Sequence, residues 1–331
     1  MEHSQFLESR CRMVAANVEA ATHSDAKTDG ATVLIAELDG IHHCHRKLIA
    51  AAAETAEMSN SNLVVLNFEA SRTAKHQIEF ERGRLMSRAQ QARKLRSMGV
   101  HSLHTVPLAP DARDGDHAVF VRQTLLGRLN ARRLVVGSQR ICNAGGVEGL
   151  LEQAKAHGVS TMVVETSRAD QVGEGAYAAA RKALKAGRPD IAAGHLGHTF
   201  AIEGVVVEGQ QLGRQFGFPT ANISAGDYLQ PALGVYATRT SLPDGRRLTG
   251  VANFGVNPTT GLVDARLEVH LLDFDEDLYG QILETELVAF LRPERKFDGL
   301  GPLIDQIRDD AESARAILGA PPLARETLRV A

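Results

Sequence analysis

Thr220 and Asn222 stand two apart at the end of the stretch Gly213-Arg214-Gln215-Phe216-Gly217-Phe218-Pro219-Thr220-Ala221-Asn222. They supply a hydroxyl and an amide oxygen, hard donors of the kind magnesium takes while sharing itself with water and substrate phosphates. In an extended segment, side chains at i and i+2 leave on the same side. Pro219 fixes its own φ and biases Phe218 toward extended geometry, so the turn is stiff. Gly204, Gly209, Gly213 and Gly217 punctuate the approach. Glycine permits close backbone approach, and successive N–H groups can cradle phosphate. The spacing is not that of a P-loop. Taken alone, the glycines also suit β-hairpin turns, and Thr-Ala-Asn also suits an ordinary Asx or proline turn.

A carboxylate follows downstream. In the run Leu267–Leu272, the residues Leu267, Val269 and Leu271 face one way and Glu268, His270 and Leu272 the other. A glutamate on a strand inside a barrel mouth could accept a proton from a primary hydroxyl, as a general base does. Without further context, a solvent-facing strand glutamate is the better description. His270 reads as a neighbour on the same face and not as a catalyst.

Together with Asp277-Leu278-Tyr279-Gly280, Leu291-Arg292-Pro293-Glu294 and Lys296-Phe297, these motifs resemble the riboflavin kinase module of bacterial bifunctional riboflavin kinase/FAD synthetases. The resemblance spans roughly residues 196–320. It implies an ATP:riboflavin 5′-phosphotransferase with Mg2+ and ATP, acting on riboflavin and releasing FMN and ADP. Thr220 and Asn222 then hold magnesium and the ATP phosphates. Gly213, Arg214, Gly217 and Pro219 belong to a flap over the nucleotide, and Glu268 takes the 5′-hydroxyl proton. Arg292 supports flavin or nucleotide at the barrel rim. One segment departs from the pattern: Asn257 stands where the family has arginine, and Thr260 where it has an aromatic residue.

The first half keeps a frame and loses parts. The family's adenylyltransferase hallmark is roughly Gly-x-Phe-Asp-Gly-x-His-x-Gly-His-Arg. Here Asp39, Gly40, His42, His45 and Arg46 remain, whereas Ala36, Leu38 and Cys44 depart from it. Cys44 replaces a glycine that lets nucleotide approach. The Phe-x-Pro-His-Pro segment falls at Phe68–Arg72 without its His or prolines. The flavin-side loop falls at Gly137–Asn143 without either Phe, and of Ser-Ser-Thr-x-Ile-Arg only Arg181 survives. Asp39, Gly40, His42, His45 and Arg181 are therefore read as a vestigial nucleotide site, and FMN adenylylation is expected to be weak or absent. A metal reading of His42-His43-Cys44-His45 also exists, but side chains this close in sequence rarely supply three ligands to one tetrahedral ion.

These motifs need two scaffolds, and 331 residues allow two cores. Up to about residue 186, apolar runs at 31–36, 62–68, 102–106, 133–137 and 160–165 alternate with helical patterns at 45–56, 86–98, 118–129, 149–157 and 176–186. That alternation predicts a parallel sheet with helices, Rossmann-like in class. A short helix and lead are expected in residues 1–28. The stretch Gly187–Gly194 reads as the junction, giving domains at 1–190 and 191–331. Beyond it, short strands at 200–207, 235–240, 249–253, 265–272 and 284–291 predict an antiparallel β-barrel, closed by a helix over Leu300–Leu318.

A net charge of −3 makes no global electrostatic case for nucleic acid. The start Met1-Glu2-His3-Ser4-Gln5 lacks a basic, apolar signal, and no apolar run of about 18 residues predicts a membrane span. Three scattered cysteines, Cys11, Cys44 and Cys142, fit a reducing cytoplasm better than a disulfide framework.

Overall fold

The computed structural model describes residues 30–70, 83–108, 117–138, 147–165, 172–209, 213, 216–257 and 264–319. They form two compact units: residues up to 175 except Arg82–Ser87 make the first, and Arg82–Ser87 with Ala176 onward make the second.

In the first unit, β1 (Ala31–Ala36), β2 (Asn62–Ala70), β3 (Ser102–Leu108), β4 (Ala131–Gly137) and β5 (Ser160–Val164) form one parallel sheet in the order β3-β2-β1-β4-β5. β1 is buried along its whole length, as a central parallel strand covered on both faces must be. The helices are α1 (His43–Met58), α2 (Arg88–Ser97), α3 (His117–Phe120) and α4 (Val147–Ala156). The helix expected over 118–129 is α only at its start: Val121–Arg128 is a π-helix, and Leu129 N–H donates to the Thr124 carbonyl five residues back. Over eight residues, an apolar pattern cannot separate a 3.6-residue turn from a wider one. Val33, Ile35, Leu66, Leu125, Leu134 and Val136 make the core on one side of the sheet.

The second unit opens with the later part of α5 (Val172–Lys185) and α6 (Pro189–Leu196). The stretch read as a junction is thus folded. Pro189 occupies the start of α6, where its missing N–H costs nothing, and Gly197 closes the helix at φ 73°. Ala192 and Leu196 join the barrel core.

The barrel is closed by six strands: β6 (Ala201–Val207), β7 (Ala221–Ser224), β8 (Gly234–Ser241), β9 (Arg247–Asn257), β10 (Asp264–Leu271) and β11 (Ile282–Pro293), in the order β10-β7-β6-β11-β8-β9. Every pairing is antiparallel. The sequence reading stops at five strands. β7 is missed because its four residues follow the Pro-Thr turn directly and carry little alternation. Ile202, Ile223, Tyr236, Ala252, Phe254, Leu267, Val269 and Leu287 fill the interior.

The helix α7 spans Leu300–Leu318, as expected from its apolar period, and ends on Gly319 at φ 69°. Ala314 and Leu318 pack on the outer wall at Ala237, Val251 and Leu291. Two charged residues on its packed side, Asp310 and Arg315, are buried but paired. Asp310 accepts two bonds from Arg292 Nε at 3.0 and 3.1 Å and one from Nη2 at 2.8 Å. Arg315 Nη2 donates to Asp273 at 2.6 Å.

Candidate active site

Strand register builds the barrel site. Glu268 on β10 pairs with Asn222 on β7 to one side and with Asn253 on β9 to the other. Directly opposed residues in antiparallel strands carry their Cβ atoms about 5 Å apart on one face. Three polar side chains thus stand in a row. That face is the outer wall: the neighbours Leu267 and Val269 point inward and are fully buried. The expectation that Glu268 sits inside a barrel mouth is corrected accordingly, while the alternation of Leu267, Val269 and Leu271 against Glu268 and His270 stands.

The row extends to Glu294, one residue past the end of β11. Asn253 Nδ2 donates to Glu294 Oε1 at 3.1 Å. Gly255 leaves the room for this: a Cβ there would lie 2.6 Å from that carboxylate oxygen. Although the Glu268 residue is exposed overall, desolvation by its neighbours lifts its carboxyl above the ordinary range; nearby Arg266 opposes the shift and Glu294 adds to it. A raised carboxyl holds a proton more readily, as a base working near neutral pH should.

Asn222 is only 7% exposed. The backbone at Gly209 lies against its amide, where a Cβ would come within 2.3 Å of Nδ2. The Phe218 N–H and Phe216 N–H both donate to the Gly213 carbonyl, at 2.8 and 3.1 Å, so the loop folds back on Gly213. A Cβ on Gly213 would lie 2.3 Å from the Phe218 carbonyl oxygen. Gly217 takes φ 82°, a conformation open to glycine at no steric cost. Thr220 is partly exposed at the end of this loop. The donor set fits a hard divalent cation: neutral oxygens on a stiff turn, backed by glycines where backbone passes close. Arg214 lies outside the described residues, as do Pro258, Thr259 and Thr260.

Arg292 is expected at the rim of the site. The structure places its guanidinium on Asp310, and over the Phe297 ring at 5.7 Å. Sequence reasoning did not single out Asn253 and Glu294. Asn253 opens the segment that carries Asn257, and Glu294 closes the Leu291–Glu294 motif, but neither the pairing of Asn253 opposite Glu268 nor the contact across 41 residues could be read from the sequence.

In the first unit, Asp39, Gly40 and His42 lie in the turn between β1 and α1, and His45 in the first turn of α1. This is the carboxyl end of β1 beside β4, where strand order reverses and open α/β sheets place their ligands. Gly40 takes φ 96° and Ile41 φ 44°. His42 caps α1, its Nδ1 accepting from the Cys44 N–H at 3.2 Å. The His42 and His45 rings stack with centroids 4.0 Å apart. Burial lowers His42 to about 4, with His43 adding to the shift. Burial, then His42, holds His45 well below its ordinary value. Both rings are therefore neutral at pH 7. Cys44, next to His45 in the same helical turn, is buried as well. Arg181 belongs to the barrel unit, where its Nη1 donates to the Gly83 carbonyl at 2.9 Å. Arg72 and Arg140–Asn143, from the two other altered motifs, lie outside the described residues.

These histidines make stability depend on pH. Their folded values lie below the unfolded value near 6.5, so the unfolded chain binds protons first. Stability is full above pH 6.5 and falls as pH drops toward about 4, where His42 titrates in the folded state. The loss from His42 is on the order of 2–3 kcal/mol. Denaturant melts across pH 7 to 4 should show it, and His42→Asn should flatten the slope; an unchanged slope would contradict the buried neutral ring.

Residues 196–318 match the family model described as riboflavin kinase, and residues 24–173 the model described as FAD synthetase. The bifunctional riboflavin kinase/FMN adenylyltransferase of Escherichia coli (strain K12) is 32% identical over 299 residues, covering 89% of this chain and 95% of that protein. The protein of that name from Pseudomonas fluorescens is 34% identical over 297 residues, covering 88% and 94%. A solved chain described as a macrolide-efflux protein from Streptococcus pneumoniae superposes with a TM-score of 0.70 at 26% identity, covering 88% of this chain and 96% of that one. Among the described residues, no helix is long and apolar enough to cross a membrane. The chain belongs to the bifunctional riboflavin kinase/FMN adenylyltransferase family.

Proposed function

We propose that this chain makes FMN from riboflavin and ATP at the outer wall of the barrel, and that its FMN adenylylation is weak or lost. The row Asn222–Glu268–Asn253 carries the first half of this reading. Phosphoryl transfer needs positioning and charge neutralisation more than covalent help from the protein. Thr220 and Asn222 would hold a magnesium ion, which supplies neutralising charge to the ATP phosphates. The backbone at Gly209 and Gly213 would lie over the phosphate side, with Gly217 in the same flap and Pro219 stiffening its exit; Arg214 is assigned to nucleotide binding from the family motif.

Glu268 takes the proton of the riboflavin 5′-hydroxyl. The freed oxygen bonds to the γ-phosphorus as the bond to the β,γ-bridging oxygen breaks, and ADP leaves. Asn253 and Glu294 hold the hydroxyl side of the row. Arg292 acts through position, fixing the end of β11 against α7. The functional division is assigned to residues 1–190 and 191–331, in a cytoplasmic protein; the three scattered cysteines support that compartment.

The repulsion between Glu268 and Glu294 yields a further expectation. A base is active when deprotonated, so the kinase rate should fall as pH drops through the raised Glu268 value. Glu294→Gln removes a neighbouring negative charge, so this acid limb should move to lower pH. Rate profiles of the two proteins from pH 4.5 to 8 decide it; a limb that stays put would separate Glu294 from the base.

The second half rests on the first-unit turn. A buried Cys44 stands in place of the motif's glycine, beside two stacked histidines that burial keeps neutral. A site that lacks several preorganised contacts loses orders of magnitude in rate. A fully bifunctional enzyme is the second reading, favoured by the retention of Asp39, Gly40, His42 and His45 at the carboxyl end of β1. Assaying FMN with ATP separates the two.

A further inference from the structure

His270 lies two residues beyond Glu268 on the same outward face of β10. Its Nδ1 is 2.9 Å from the Pro219 carbonyl oxygen. A carbonyl only accepts, so Nδ1 carries the hydrogen. The ring also meets Phe218 edge-on, with centroids 5.5 Å apart.

The backbone explains what this contact adds. The ladder between β7 and β10 ends at Ala221 opposite Val269. Thr220 therefore lies one residue past the last rung, and the residue before it is Pro219, which has no N–H to extend the ladder. The His270 side chain bonds at the point where main-chain pairing stops. We propose that His270 is a positioning residue for phosphoryl transfer, clamping the Phe218–Pro219 turn to the strand that carries Glu268 and so setting Thr220 against the base.

Burial keeps the ring neutral, with the Pro219 bond and Asp273 opposing that shift and Arg315 adding to it. A neutral donor fits a clamp beside a metal–phosphate site, because it adds no competing cation. The inference rests on the assignment of Thr220 to the magnesium–phosphate side, and the test separates the two.

Three full-length variants are compared by steady-state kinetics with Mg-ATP and riboflavin varied separately, and by thermal melting. His270→Phe keeps a ring against Phe218 and loses the donor. His270→Asn places an amide N–H near the original Nδ1. Thr220→Ala removes the hydroxyl. A small misplacement of a reacting group can cost about 10²-fold. His270→Phe should raise the KM for Mg-ATP about tenfold or lower kcat by a similar factor, with the riboflavin KM within about twofold and melting unchanged. His270→Asn should recover most of the loss. Wild-type kinetics in His270→Phe, beside an altered magnesium dependence in Thr220→Ala, overturns the clamp alone. Equal losses on both substrates with a lowered melting temperature and no recovery in His270→Asn also overturn it, since that is the signature of a packing role. An unaltered magnesium dependence in Thr220→Ala removes the assignment on which the clamp rests, and the clamp with it.

Discussion

Glu268→Gln should abolish most riboflavin phosphorylation while leaving ATP and riboflavin binding close to that of the parent. The amide keeps the size of the side chain and its place between Asn222 and Asn253. It cannot take a proton. General-base catalysis typically contributes 10²–10⁴-fold, so a fall in kcat of at least about 10² is expected. KM values should move little, because the lost interaction belongs to the transition state. The backbone contributes too: Leu267 and Val269 lock β10 into the core on either side, so the substitution should not shift the strand. Parent-like turnover in Glu268→Gln would remove this residue as the base and move attention along the row to Glu294.

The second large effect is expected at Asn222. This side chain is buried against the Gly209 backbone and faces Glu268, so it lies where that backbone, the Pro219 turn and Glu268 meet. Asn222→Ala should lower kcat/KM for Mg-ATP by about 10²–10³-fold, comparable with losing one preorganised contact to developing charge. Thr220→Ala, at a more exposed position, should act in the same direction with a smaller effect. Both should raise the magnesium concentration needed for half-maximal rate. Titrating magnesium at saturating ATP distinguishes this from general damage: a unit that has lost its fold shows lower rates at every magnesium concentration, with no shift in the half-point.

The sequence was most legible where period and punctuation agree. The closing helix is apolar at helical spacing and ends on Gly319, so both its ends could be read. The strands of the parallel sheet stand out as short apolar runs between helical patterns. Legibility failed where one residue type has two uses. Gly187, Pro189 and Asp190 look like linker punctuation, yet proline is also favoured at a helix start, and α6 begins there. Pro219 to Asn222 looks like a turn, yet Ala221–Ser224 is the strand that carries Asn222 into line with Glu268.

The same limit applied to the site. Glu268, Thr220 and Asn222 were readable as a motif set through the family resemblance. Their common face was not readable, because it depends on β7, β10 and β9 being neighbours. The Glu294 carboxylate and the His270 clamp were hidden for the same reason: each bonds to a partner more than 40 residues away in sequence. In the first unit the letters of the motif were visible, but not the charge state of its histidines, which burial sets.

The most direct test of the account is chromatography of riboflavin incubated with Mg-ATP and the purified chain. FMN accumulating with little or no FAD is the predicted result. FMN followed by FAD at a comparable rate would contradict the reading of Cys44 and the neutral histidines, and would make the chain fully bifunctional. Neither product would contradict the central claim itself and leave a flavin-binding role without catalysis.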